Sequence, residues 1–143
     1  MKAIVASKPG GPDVLTVITK SVPNMKPDEV LIKVHAAGVN GADIKERQGK
    51  YPLPLGTPDI MGLEVSGEIV DKGHRCQRFH QGDKVCALLI GGGYAEYAVA
   101  PEGQCMLVPE NVDVIEAAGI PEVFCTVWAV SYTHLRAHET DRY

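Results

Sequence analysis

Short apolar segments separated by glycine and proline restrict the fold of this chain more than any other feature. Its 143 residues include 15 glycines and 10 prolines, and the apolar segments follow one another at intervals of about 8 to 12 residues. This spacing is typical of a small β-barrel or β-sandwich rather than of a parallel sheet, whose strands alternate with long helices. The segments predicted to form strands are residues 1–6, 15–19, 29–34, 64–70, 84–89 and 94–99.

Short helices are predicted at residues 43–47, 112–118 and 123–129. Gly67 lies inside the predicted strand 64–70. Because a glycine inside a strand often marks a bulge or a close approach of two backbones, we expect that strand to bend. The three consecutive glycines 91–93 are predicted to form a hairpin or a close-packed turn, since a phosphate-binding loop would need a following lysine and a strand-to-helix context.

The composition is that of one globular domain and argues against several classes of partner. Hydrophobic residues make up 45% of the chain, and the formal net charge is -4 at pH 7. An acidic chain offers no basic surface to a phosphate backbone, so no nucleic acid partner is expected. No apolar run approaches the roughly 20 residues that span a bilayer, and residues 1–7 have too short an apolar core for a signal peptide. We therefore predict no membrane partner and a cytoplasmic location.

The cysteines and histidines do not predict a metal site. His74, Cys76 and His80 lie close together in sequence, but three spaced polar residues without an evident fourth ligand are typical of a solvated loop. His134 and His138 have the i, i+4 spacing of a metal clamp on a helix, but the segment that contains them is expected to be non-native. The four cysteines occur singly, with no C-x-x-C pair, and are interpreted as reduced, packed thiols. They are Cys76, Cys86, Cys105 and Cys125.

Residues 39–70, VNGADIKERQGKYPLPLGTPDIMGLEVSGEIV, carry the strongest family signal. It continues in residues 8–15 (KPGGPDVL), 81–103 (QGDKVCALLIGGGYAEYAVAPEG) and 120–128 (IPEVFCTVW). These segments resemble the medium-chain dehydrogenase/reductase superfamily. The RQGxY, GLExSG and IPE elements are most similar to its zinc-independent NADPH:quinone oxidoreductases, the zeta-crystallin-like branch. The resemblance covers nearly all of the chain from Met1 to about Ala129, so it does not depend on one short pattern.

The zinc ligands of the related alcohol dehydrogenases are missing. In those enzymes a cysteine stands where this chain has Asn40, and a histidine stands where it has Leu63, before Glu64. Zinc in proteins needs about four ligands from Cys, His, Asp or Glu, so we expect neither the catalytic metal nor the alcohol chemistry. Residues 88–94, LLIGGGY, replace the four-cysteine lobe of those enzymes, so no structural metal is expected either.

The resemblance implies a mainly β fold with short helices, in which residues 1–120 form a GroES-like catalytic domain, a partly open β-barrel. Residues 121–129 would begin the helix that leads to a nucleotide-binding Rossmann domain. The glycine fingerprint of that domain is absent from this chain. Residues 130–143 differ from the family, and VSYTHLRAHET resembles a translated sequencing-library adapter. We therefore expect this last segment to be non-native; the alternative is a genuine divergent tail.

The resemblance places the candidate catalytic residues Asn40, Tyr51 and Asp43 at one cleft. A quinone carbonyl is already electrophilic. A nicotinamide can therefore transfer hydride to it without a metal, provided that a hydrogen-bond donor stabilises the negative charge that develops on the carbonyl oxygen. The amide of Asn40 or the phenol of Tyr51 can donate to that oxygen, and Asp43 is expected to orient the loop that carries Asn40. Asn40, Tyr51 and Thr126 are the candidate contacts to NADPH, Thr126 by its match to a family threonine beside the cofactor.

Structural interpretations of the same residues remain open. Asn40 can supply loop hydrogen bonds alone, and Tyr51 can be a packing ring in a proline-rich loop. Glu64 is interpreted as a buried structural carboxylate rather than a base. Arg47 is interpreted as a solvated or carboxylate-paired charge rather than a cofactor clamp.

The function implied by the resemblance is that of the catalytic half of an NADPH-dependent quinone oxidoreductase. It would transfer hydride to small-molecule quinones without zinc, and the full-length protein would be a homodimer. One alternative is another zinc-free reductase acting on enones or enoyl thioesters; the other is a non-enzymatic GroES-like binding module. The chain alone is predicted to be inactive, because half of the cleft would lie in the second domain. It should also expose an apolar face around residues 123–129.

Overall fold

The computed structural model describes residues 1–139, and for residues 135–139 it describes the backbone only. Within residues 1–139, the regular structure consists of seven strands and two α-helices. In chain order they are β1 (Lys2–Ala6), β2 (Leu15–Thr19), β3 (Glu29–Ala37), α1 (Gly41–Arg47), β4 (Glu64–Lys72), β5 (Lys84–Leu88), β6 (Tyr97–Pro101), β7 (Cys105–Leu107) and α2 (Pro121–Glu139). Short 3-10 helices span Pro12–Val14, Glu102–Gln104 and Glu116–Gly119.

A five-stranded antiparallel sheet with the strand order β6-β3-β4-β5-β7 forms the centre of the fold. Strands β1 and β2 form a separate antiparallel pair, which an isolated bridge between Ala3 and Ala95 connects to the loop before β6. The large sheet curls into a half-barrel. The prediction of a mainly β fold with a partly open barrel is therefore confirmed, although α2, at 19 residues, is longer than expected.

Buried side chains of the central strands form the core. Branched aliphatic residues supply most of it, since their stiff side chains pack well on a pleated surface. The solvent exposure of Val30, Ile32, Val65, Ile69 and Val85 is 0%. Packing in this core fixes the positions of β3 and β4. The candidate site begins at the ends of these two strands.

Gly67 allows the close approach of two backbones that its position predicts. A Cβ at this position would lie 2.0 Å from the carbonyl oxygen of Lys33 on the neighbouring strand, and the register of β3 against β4 shifts between Val34 and Ala36, beside it. The three glycines 91–93 form a close-packed turn, in which Gly93 donates its N–H to the carbonyl oxygen of Gly62 at 3.1 Å. The close approach at Gly67 and the close-packed turn of the three glycines are therefore confirmed.

Two predicted elements differ from the structure. Strand β6 begins at Tyr97 rather than at Tyr94, because the Tyr94 N–H bonds to the Met61 carbonyl at 2.9 Å and fixes Tyr94 in the preceding loop. The helix predicted at 112–118 is wrong except for the 3-10 turn Glu116–Gly119. There the Asp113 carboxylate accepts the N–H of Ile115 at 2.8 Å, a local bond that competes with helical hydrogen bonding. Strand β7 was not predicted.

Helix α2 confirms the helix predicted at 123–129 and extends beyond it. Its apolar side chains are largely exposed, with Phe124 at 66% and Trp128 at 71%, so the predicted apolar face is present on the chain. No helix among residues 1–139 is long and apolar enough to cross a membrane. Residues 140–143 of the predicted non-native tail, and the side chain of His138, lie outside the described residues.

The prediction of packed thiols holds for three of the four cysteines. Cys76, Cys86 and Cys105 are buried, and Cys125 is exposed, because it lies on the uncovered surface of α2. Burial raises the pKa of the Cys105 thiol to about 12, so this thiol stays protonated at neutral pH.

Candidate active site

The candidate site begins where β3 leads into α1. Asn40 precedes the first residue of α1, with an extended backbone (φ -120°, ψ 159°) typical of an N-cap. Three residues later, the carboxylate of Asp43 accepts the backbone N–H of Asn40 at 2.7 Å. Asp43 is only 3% exposed. This bond supports the expectation that Asp43 holds the loop that carries Asn40.

Tyr94 completes the surroundings of Asp43. Its hydroxyl donates to the same carboxylate oxygen, Oδ2, at 2.8 Å. Burial raises the pKa of Tyr94 well above its ordinary value of 10.0, and the hydrogen bond to Asp43 raises it further. The phenol is therefore a permanent donor at neutral pH. Among the described residues, the other oxygen of Asp43, Oδ1, is buried without a hydrogen-bond partner.

Glu64, the first residue of β4, fixes the side chain of Asn40. Its exposure is 2%, and its Oε1 accepts from the Asn40 amide nitrogen at 2.9 Å. Its Oε2 accepts the backbone N–H of Glu122 at 2.8 Å, in the first turn of α2. Helices leave their first N–H groups without intrahelical partners, so this carboxylate satisfies one of them. The interpretation of Glu64 as a buried carboxylate agrees with this geometry.

Two glycines make room for these side chains. A Cβ on Gly38 would lie 2.0 Å from Oε1 of Glu64, which is a severe overlap. Gly62 has φ +104°, a conformation that other residues rarely adopt, and a Cβ there would lie 2.7 Å from the Tyr94 ring. The close approach of β3, β4 and the Tyr94 loop therefore depends on both positions.

Tyr51 and Thr126, the other two predicted site residues, are not part of this network. Tyr51 lies in the loop after α1 and is 39% exposed, whereas Thr126 lies on α2 and is exposed. Within residues 1–139, neither of them forms a hydrogen bond with Asn40 or Asp43. The structure thus brings together two of the four predicted residues, Asn40 and Asp43, and the functional roles of all four remain predictions.

The sequence reasoning missed Tyr94 and the contacts of Glu64. Tyr94 carried a weak signal, since it follows three glycines that allow a close approach, but it was assigned to a strand. The bond from Asn40 to Glu64 spans 24 residues, and no local pattern indicates it. Arg47 was predicted to be solvated or paired with a carboxylate; its Nε–H instead donates to the Gly10 carbonyl oxygen at 3.2 Å.

Two positions of the site hold side chains that are not among the usual ligands of zinc. A carboxamide and an alkyl side chain, Asn40 and Leu63, occupy the two positions that the resemblance compares with zinc ligands, and Glu64 already accepts two hydrogen bonds. In the part of the chain that the structure describes, no three His, Cys, Asp or Glu side chains come together as metal ligands do. Cys76 donates its thiol to the Glu29 carbonyl at 3.3 Å.

Comparison with known proteins agrees with the fold. The sequence model of the alcohol dehydrogenase GroES-like domain family matches residues 26–110. A chloroplastic quinone-oxidoreductase homolog of Spinacia oleracea is 42% identical over 117 residues, which cover 78% of this chain and 36% of the relative. A chloroplastic NADPH-dependent alkenal/one oxidoreductase of Arabidopsis thaliana is 41% identical over 134 residues, covering 85% of this chain and 34% of the relative.

A solved structure shows the same architecture. The quinone oxidoreductase of Thermus thermophilus, also crystallised in complex with NADPH, superimposes with a TM-score of 0.75 at 33% sequence identity. The match covers 93% of this chain and 41% of that one. The chain therefore spans about a third of the length of the curated relatives. Because the family match includes more than half of its residues, the chain belongs to the alcohol dehydrogenase GroES-like domain family.

Proposed function

We propose that this chain supplies the catalytic domain of an NADPH-dependent quinone oxidoreductase that works without zinc. The observation that carries the proposal is the Asn40 carboxamide, which stands at a zinc-ligand position of the related alcohol dehydrogenases and is held there by the buried Glu64 carboxylate. The relatives named quinone oxidoreductase and NADPH-dependent alkenal/one oxidoreductase support the reaction class.

The residues at the site fit hydride transfer to a carbonyl without a Lewis acid. NADPH supplies the hydride when it is bound. An asparagine amide carries two N–H groups; Glu64 accepts one of them, and the second remains to donate to an oxygen that gains negative charge. A fixed donor of this kind stabilises the transition state because it needs no reorientation during the reaction.

Asp43, Tyr51 and Thr126 have supporting roles in this proposal. Asp43 positions Asn40 through the backbone bond at its N–H. The exposed phenol of Tyr51 and the hydroxyl of Thr126 are proposed to contact the nicotinamide or the quinone. Both residues lie at the surface of this domain, as expected for groups that meet a ligand between two domains.

A second candidate, reduction of the carbon–carbon double bond of an enone, is favoured by the Arabidopsis relative that is named for alkenals and alkenones. The two reactions differ in where the proton goes. A reduced quinone takes its protons on oxygen, whereas an enone needs a proton on the carbon next to the carbonyl. The two substrates therefore distinguish the candidates directly.

A chimera tests the proposal: residues 1–129 of this chain joined to the remainder of the Thermus thermophilus enzyme. We expect the chimera to oxidise NADPH with a quinone in the presence of a zinc chelator, and the 143-residue chain alone to show no turnover. The unaltered Thermus enzyme is the control. Turnover that occurs with an enone and not with a quinone would select the second candidate, and turnover that requires added zinc would refute the proposal.

The cellular setting and assembly of the protein also remain predictions. We propose a cytoplasmic location and a homodimer for the full-length protein. The two plant relatives, in contrast, are named as chloroplastic proteins. Size determination of the full-length product tests the dimer.

A further inference from the structure

The contact between Asn40 and Glu64 determines how the Asn40 amide is oriented. An ionised carboxylate has acceptor oxygens and no donor. Only the amide nitrogen of Asn40 can therefore face it, and the observed distance of 2.9 Å between Nδ2 and Oε1 is that of a hydrogen bond. With the nitrogen fixed in this way, the amide cannot exchange its two ends.

The second oxygen of the same carboxylate joins this contact to another element. Oε2 of Glu64 accepts the N–H of Glu122 at 2.8 Å, near the positive end of the helix dipole of α2. One buried side chain thus connects the loop before α1 with the first turn of α2. Gly38 keeps this path open, because any side chain there would overlap Oε1.

We propose that Glu64 is a positioning residue: its carboxylate sets the direction of the Asn40 amide and ties it to the start of α2. The proposal rests on the proposed function only in treating Asn40 as a group that meets the substrate. The hydrogen-bond geometry itself does not depend on any activity.

The substitution Glu64→Gln distinguishes two roles of Glu64, the orientation of the Asn40 amide and the hydrogen bond to the first turn of α2. A glutamine has one acceptor oxygen and one donor nitrogen. If its oxygen stays on the Glu122 N–H, its nitrogen faces Asn40, and the Asn40 amide must turn over to present its own oxygen. The first turn of α2 then keeps the hydrogen bond from the Glu122 N–H to residue 64. The Asn40 amide, in contrast, has its oxygen and nitrogen exchanged relative to a ligand.

The test is an NMR spectrum of the side-chain amides of the isotope-labelled 143-residue chain at neutral pH. The chain has three asparagines, Asn24, Asn40 and Asn111, and loss of one signal in Asn40→Asp assigns the Asn40 pair. We expect one Asn40 amide proton to be shifted downfield relative to those of Asn24 and Asn111, because it bonds to a carboxylate. In Glu64→Gln this shift should be lost, while the backbone amide of Glu122 stays hydrogen-bonded and exchanges with solvent deuterium as slowly as in the unaltered chain.

Glu68→Gln is the matched control, since Glu68 lies on the same strand and pairs with Lys33 and Lys84 across the sheet; it should leave the Asn40 pair unchanged. An Asn40 pair that resembles those of Asn24 and Asn111 in the unaltered chain would overturn the proposal. So would a pair that does not move in Glu64→Gln. If Glu64→Gln does not fold, the proposal is tested by the unaltered chain alone, in which the Asn40 amide protons are compared with those of Asn24 and Asn111. Because no turnover is measured, failure of the chimera assay would leave this result standing.

Discussion

The two halves of the candidate site differ in how they are held. Asn40 and Asp43 belong to a partly buried network with Glu64 and Tyr94, in which each polar contact is 2.7 to 2.9 Å long. Tyr51 and Thr126 lie at the surface, outside that network. The difference indicates that this domain preorganises the Asn40 amide, which is proposed to donate to the substrate oxygen that gains negative charge. The proposed contacts of the other two residues would be completed by the remainder of the enzyme.

The largest effect on the free energy of unfolding is expected when the Glu64 carboxylate is removed, because it holds the half of the site that contains Asn40 and Asp43. Glu64→Ala should lower the free energy of unfolding by about 3 kcal/mol or more, because two hydrogen bonds to a charged group are lost, each worth about 1.5 to 3 kcal/mol. Urea denaturation measures the change, with Glu68→Ala as the control on the same strand. A decrease in the free energy of unfolding no larger than that of Glu68→Ala would contradict the view that hydrogen bonds hold one half of the site more firmly than the other.

Tyr94→Phe should have the next largest effect. It removes the donor to the buried Asp43 carboxylate, at a cost of about 1.5 to 3 kcal/mol. The pH dependence adds a second test. Because the pKa of Tyr94 is raised in the folded chain, the unfolded chain loses this proton first as the pH rises through 10.0, and stability falls. Denaturation at increasing alkaline pH should show a smaller fall for Tyr94→Phe, and an equal fall would contradict the account.

A substitution at Glu46, in α1, is expected to have a smaller effect on the free energy of unfolding, and one of opposite sign. Burial, with a contribution from Asp43, raises the pKa of Glu46 above its ordinary 4.5, and the residue lies in the last turn, where the helix dipole disfavours a negative charge. Glu46→Gln should therefore stabilise the chain at neutral pH by about 0.3 to 1 kcal/mol. The gain should disappear below pH 4.5, where both folded and unfolded states carry the protonated acid. Thermal melting at the two pH values measures it.

The smallest effects belong to the second half of the site. Tyr51→Phe and Thr126→Ala alter exposed groups, so each should change the free energy of unfolding by no more than about 0.5 kcal/mol. Denaturation of the isolated chain provides the measurement. A loss comparable with that of Tyr94→Phe would show that these residues support the domain, as Asn40 and Asp43 do.

The sequence predicted the architecture better than the site because the two depend on different ranges of interaction. Alternating apolar residues and glycine positions are local, and they located six of the seven strands and the close backbone approach at Gly67. Strand β7 is only three residues long, too short for a periodic pattern. The contacts of Asn40 with Glu64 and of Asp43 with Tyr94 join residues 24 and 51 positions apart. Only the folded sheet brings them together.

The measurement that tests the central claim most directly is the effect of Asn40→Ala on quinone-dependent NADPH oxidation by the chimera, with a zinc chelator present. Loss of one preorganised donor to a developing oxyanion typically lowers kcat by about 100-fold or more. We predict a loss of that size in kcat, with Thr16→Ala on β2 as a control that leaves turnover unchanged. Full activity in Asn40→Ala would contradict the claim that this carboxamide serves the reaction in place of a metal.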